Sequence, residues 1–134
     1  MGHGQDFKYK DALRSLFDTC KTVTGNVYVN DRPAATPGQM EEFIVVSLPG
    51  QMSSATYGSG FGNVRTYCTL ESYVRLKKSG VEDVDRQSGM VGKLLSLFPI
   101  SNGSITASRP RVVLKGADGL GFSAVLIRAD LRIK

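Results

Sequence analysis

Residues 64–76, VRTYCTLESYVRL, carry the longest alternating pattern in the chain, and they restrict its fold more than any other stretch. The even positions Val64, Thr66, Cys68, Leu70, Ser72, Val74 and Leu76 are apolar or small. The odd positions Arg65, Tyr67, Thr69, Glu71, Tyr73 and Arg75 are polar, charged or amphipathic aromatic. A period of two predicts a half-buried strand with one face on a core. At about 3.3 Å per residue such a strand reaches about 43 Å if straight, against a diameter of roughly 36 Å for a compact chain of this size. It must therefore bend, bulge or overhang.

The other elements follow from the same patterning. Tyr9, Leu13, Leu16, Phe17 and Cys20 recur at helical spacing, with Asp6 placed as an N-cap. Val27, Tyr28 and Val29 read as a short strand closed by Asn30, Asp31 and Pro33, and residues 43–48, FIVVSL, as a central strand apolar on both faces. After the long strand, Ser79 and Glu82 stand at capping-box spacing with Asp83 as a rival cap. The helix they open places Val84, Ser88, Val91, Leu94, Leu95 and Phe98 on one face and ends at Pro99. Asn102-Gly103 then turns the chain into residues 105–115, and Asp118-Gly119 lies in the connection to residues 122–133. There Val125, Ile127, Ala129, Leu131 and Ile133 alternate with Leu126, Arg128, Asp130 and Arg132. The order predicts an α+β fold: a mainly antiparallel sheet of four to five strands with two helices packed on one face.

With 134 residues, of which 41% are hydrophobic, the chain is expected to form one domain over residues 1–134. Residues 1–5 are expected to form a disordered tail without a signal region. Residues 49–63, uncharged and rich in Gly and Ser, are expected to form a flexible loop that presents Tyr57 and Phe61 to a partner. The net charge of +5 is concentrated late: residues 101–134 hold six basic side chains and two acidic ones. Cys20 and Cys68 fall on a helix face and a strand core face, as buried free thiols do.

Chemistry that makes or breaks bonds has no visible reagent set. The one histidine, His3, lies in the terminal segment, where nothing holds it rigidly. The two cysteines are far apart in sequence, and neither CxxC nor HxxxH occurs, so no metal is expected. Glu82, Asp83 and Asp85 suit a helix start, where acids complement the dipole. The glycines at 58, 60 and 62 match no phosphate-binding loop, and a strand follows them. No catalytic residue, cofactor or membrane span is expected, and the chain reads as non-enzymatic.

Contact surfaces are the remaining source of function. Arg65, Tyr67, Tyr73, Arg75 and Lys77 line the outward face of the long strand, and Tyr and Arg are enriched at protein interfaces. Together with the last strand, this long ribbon is expected to offer edge backbone to a neighbouring subunit. A second reading takes the same basic, aromatic face as a nucleic-acid platform, although Glu71 interrupts the row. Arg109, Arg111, Arg128 and Arg132 are the candidates for facing DNA by electrostatics alone.

The order DALRSLF, VYVNDRPAATPG, FIVVSLPG, VRTYCTLESYVRLKKSG, VDRQSGMVGKLLSLF and a final hairpin resembles the tail-completion and tail-terminator proteins of long-tailed bacteriophages. The resemblance is one of architecture and size. It implies a structural protein of phage or prophage tail assembly, acting as a homo-oligomeric ring, commonly hexameric. It also implies tail-tube or head-connector partners and a place in the virion after assembly in the host cytoplasm.

Overall fold

The computed structural model describes residues 9–32, 40–48, 53–54, 64–103 and 105–133. Two helices and seven strands follow one another along it: α1 (Tyr9–Cys20), β1 (Val27–Val29), β2 (Glu42–Ser47), β3 (Ser53–Ser54), β4 (Val64–Arg75), α2 (Val84–Leu95), β5 (Ile100–Asn102), β6 (Ile105–Ala117) and β7 (Phe122–Ile133). Six strands run side by side in the order β1-β2-β4-β7-β6-β5, and β3 pairs with the start of β4. Every pair is antiparallel except β1 with β2, which is parallel. The fold is α+β as expected, but the sheet is larger than four or five strands and is mixed. The short strands β3 and β5, neither expected as a strand, account for the difference in size, whereas β1 lies where a short strand was expected. The parallel pair arises because twelve residues separate Val29 from Glu42, enough for a crossover back to the same end of the sheet.

The alternation of β4 is realised residue by residue. Val64, Cys68, Leu70, Ser72 and Val74 are buried, on the same side as Ile127, Ala129, Leu131 and Ile133 of β7. Both helices cover this face. α1 contributes Ala12, Leu16 and Cys20, and α2 contributes Met90 and Leu94. Asp83 caps α2 by accepting the Arg86 backbone N–H at 3.2 Å. Cys20 and Cys68 are free and buried, and burial pushes both thiols up to about 12.

The buried face of α2 differs from the expected one. Val84 is 65% exposed and Ser88 is exposed, whereas Gln87 is buried beside Met90 and Leu94. The helix is turned so that the Gln87 carboxamide meets Ser72 and Ser123, two small polar residues on the core face of the sheet. A carboxamide satisfies both, which an apolar side chain at that position cannot do.

The edge backbone is also placed differently. β4 pairs with β7 over all twelve residues, Val64 to Ile133 through Arg75 to Phe122, and with β2 and β3 on its other side. β7 in turn lies between β4 and β6. The two long strands are therefore interior to the sheet, and on the side of β4 away from β7 the pairing among the described residues covers Val64, Arg65 and Thr69 through Val74. Their excess length is matched by each other and by β6.

Candidate functional site

The sheet face opposite the helices has two chemically distinct ends. At one end, Phe43 and Phe122 are buried on the side away from the main core. Tyr73 stacks on Phe43 with ring centroids 4.5 Å apart, and Tyr28 and Phe122 meet the same ring edge-on. The Arg32 guanidinium lies 5.1–5.7 Å from the centroids of Tyr73, Phe43 and Phe122 and pairs with Asp118 in the β6–β7 turn. Burial raises the Asp118 carboxyl. Hydrogen bonds from Arg32 and from the Leu120 and Phe122 backbone, with the Arg32 charge, outweigh that and hold it below the ordinary carboxylate range. Arg75 lies 4.7 Å from the Phe122 ring centroid and donates through Nε to the Met40 carbonyl. Tyr73 and Arg75 thus belong to packing within the chain. Lys77 is exposed beyond the end of β4.

The other end is basic and open. Arg65 of β4 stands directly opposite Arg132 of β7, and Thr106 of β6 opposite Arg132 on the far side. The β6–β7 register shifts between Ser108 and Arg111, and Arg109 sits in this bulge with φ 56°. An extra residue in one strand re-aims its side chain. Here Arg109 joins Arg65, Thr66, Thr106, Ser108, Asp130, Leu131 and Arg132 around a cleft of about 730 Å³. Asp130 is engaged by Arg111 at 2.8 Å. Arg128, two residues further along the same face of β7, lies 4.4 Å from the Tyr67 ring centroid. Arg109, Arg111, Arg128 and Arg132 are all exposed, and with Arg65 they share this end of the sheet.

A third feature is an edge. β5 pairs with β6 only over Ile105, Thr106 and Ala107, and beyond Ala107 no strand among the described residues pairs with the outer side of β6. There Val112 is 43%, Val113 49% and Leu114 79% exposed, between Arg111 and Lys115. These residues had no place among the expected contacts. They fall within the strand expected over residues 105–115, and that reading carried no signal of their exposure. Tyr57, Phe61, His3 and Asp6 lie outside the described residues. Among the described residues, no group of three or more His, Cys, Asp or Glu side chains is placed to hold a metal ion, and no helix is long and apolar enough to cross a membrane.

No protein-family model matches the chain, and no curated protein is similar to it in sequence. Solved structures do share its fold. One, of a chain that carries no functional description, superposes with a TM-score of 0.61 at 16% identity, over 97% of this chain and 95% of that one. The likeness is one of fold.

Proposed function

We propose that this protein is a non-enzymatic structural subunit that assembles with copies of itself into a ring and serves in the assembly of a phage or prophage tail, as a tail terminator, tail-completion or head–tail joining protein. The outer side of β6, unpaired beyond Ala107 among the described residues, carries this reading. An exposed strand edge presents unpaired backbone donors and acceptors, and soluble proteins usually shorten, twist or charge such edges. This one carries Arg111, Lys115 and two register shifts, yet between them it places Val112, Val113 and Leu114 in solvent. Pairing that edge with a different surface of the next copy is a heterologous contact, and such contacts close into rings when the rotation allows. The order and sizes of the elements support the tail assignment through the architectural resemblance, with tail-tube or head-connector proteins as the further partners.

Light scattering across a range of protein concentrations, with negative-stain imaging of the same samples, tests the reading. The expected result is a discrete mass that is a multiple of one copy, with annular particles. A chain that keeps the mass of one copy at every concentration contradicts it.

A further inference from the structure

We infer that the cleft between the starts of β4 and β6 and the end of β7 binds the phosphodiester backbone of nucleic acid, with Arg65, Arg109 and Arg132 as its phosphate ligands. Like charges directly opposite each other across strands are destabilising, yet Arg65 and Arg132 are register partners on the same sheet face. The bulge brings a third guanidinium, Arg109, to the same cleft, at a backbone angle that L-residues seldom adopt. Among the described residues none of these three forms an ion pair, and the one carboxylate lining the cleft, Asp130, is already paired with Arg111. The local excess of positive charge is thus uncompensated within the described chain, and a bound anion would relieve it.

The hydroxyls of Thr106 and Ser108 also line the cleft. Guanidinium forks and hydroxyl donors are the groups that hold phosphate oxygens. A polymer fits better than a single phosphate because the basic row continues. Arg132 and Arg128 lie four residues apart on β7, about 13 Å at strand rise, and Arg128 is seated on Tyr67. The aromatic ring beside that guanidinium is of the kind that stacks with bases in single-strand binders. No base-edge reader stands out in the cleft, so binding is expected to be insensitive to sequence and steeply weakened by salt.

Fluorescence anisotropy with a labelled single-stranded oligonucleotide, titrated with the full chain at several salt concentrations, tests this. Arg132→Gln and Arg109→Gln are each expected to weaken binding about tenfold and to reduce the slope of log affinity against log salt by about one. Lys93→Gln, which removes the same charge from α2, is expected to change neither. Arg109 is exposed, so its variant keeps the test valid if Arg132→Gln folds poorly. Equal weakening by all three variants would overturn the site, as would no salt-dependent binding. Saturation by inorganic phosphate without oligonucleotide binding, or preference for an acidic peptide, would overturn the assignment to nucleic acid. Ring formation by Arg109→Gln, followed by light scattering, reports separately on assembly, because the apolar run Val112, Val113 and Leu114 of the β6 edge is not part of the cleft.

Discussion

Gln87 of α2 and Ser72 of β4 are joined by a reciprocal pair of hydrogen bonds inside the core. The Ser72 hydroxyl donates to Gln87 Oε1 at 2.7 Å, and Gln87 Nε2 donates to the Ser72 carbonyl at 3.1 Å. The same Nε2 reaches the carbonyl and the hydroxyl of Ser123 on β7. One side chain therefore fixes the helix against the two central strands.

Replacing Gln87 by Leu keeps the volume and removes every one of these partners. The buried Ser72 hydroxyl loses its acceptor, and Ser123 keeps only the 3.4 Å bond from its hydroxyl to the Val74 carbonyl, which costs about 2–3 kcal/mol. Urea denaturation of Gln87→Leu against the parent chain measures it. A loss well under 1 kcal/mol would show that the network contributes little.

The Arg32–Asp118 pair ties the segment after β1 to the turn between β6 and β7, across the aromatic cluster. Because the folded-state carboxyl lies below its ordinary value, its stabilisation is fully present above about pH 4, the unfolded value. It is lost as the pH falls through the folded value. Asp118→Asn is expected to cost about 1–2 kcal/mol at neutral pH. The gap to the parent should close on acidification, as read from denaturation midpoints at a series of pH values. A gap that stays constant down to low pH would exclude the charge as its source.

Gly103 occupies the β5–β6 turn with φ +61°, and a Cβ there would stand 3.1 Å from Ser15 Oγ of α1. The neighbouring Asn102 already binds α1 at the Ser15 carbonyl and Thr19 Oγ1. Gly103→Ala combines a left-handed backbone with a crowded neighbour and is expected to destabilise by about 1–2 kcal/mol. Thermal unfolding tests it, with Gly89→Ala on the open side of α2 as the comparison, where apart from its chain neighbours and the helix's own backbone nothing lies within 4 Å of the added carbon.

Alternation made the two long strands legible, since burial alternates along β4 from Cys68 and along β7 from Val125, although Phe122 to Val125 are all buried. The cap of α2 was legible only as a choice between Ser79 with Glu82 and Asp83, and the helix starts at Val84 with Asp83 accepting from the Arg86 N–H. Other features depend on residues distant in sequence. Gln87 enters the core only because two serines on separate strands face it, and no helical periodicity of apolar residues reports that. The bulge at Arg109 follows from a register shift against β7, which alternation within β6 cannot reveal. Nor does local patterning tell an interior strand from an edge one. Length drew attention to β4 and β7, whereas among the described residues it is β6 whose outer side is left unpaired beyond Ala107, because its partner β5 is only three residues long. Arg32 stacks on rings from three strands, and its position after a short strand gave no sign of this.

Leu114, 79% exposed on β6, makes a clean probe of assembly. Leu114→Lys alters a solvent-facing side chain and should change the stability of the single copy by no more than about 0.5 kcal/mol. It places a second lysine beside Lys115 at the proposed contact, and charge on an edge opposes pairing. A shift toward the single-copy mass at unchanged unfolding midpoint is expected from light scattering. Undiminished assembly would remove Leu114 from the contact.

Hydrogen–deuterium exchange along β6, followed as protein concentration is raised, tests most directly whether this edge is the subunit contact. The prediction is that outward-pointing amides beyond Arg109, fast in dilute solution, become protected in step with the rise in mass, while exchange in α2 stays unchanged. Assembly that leaves the β6 amides as fast as in the single copy, or protection that never appears at any concentration, would contradict it.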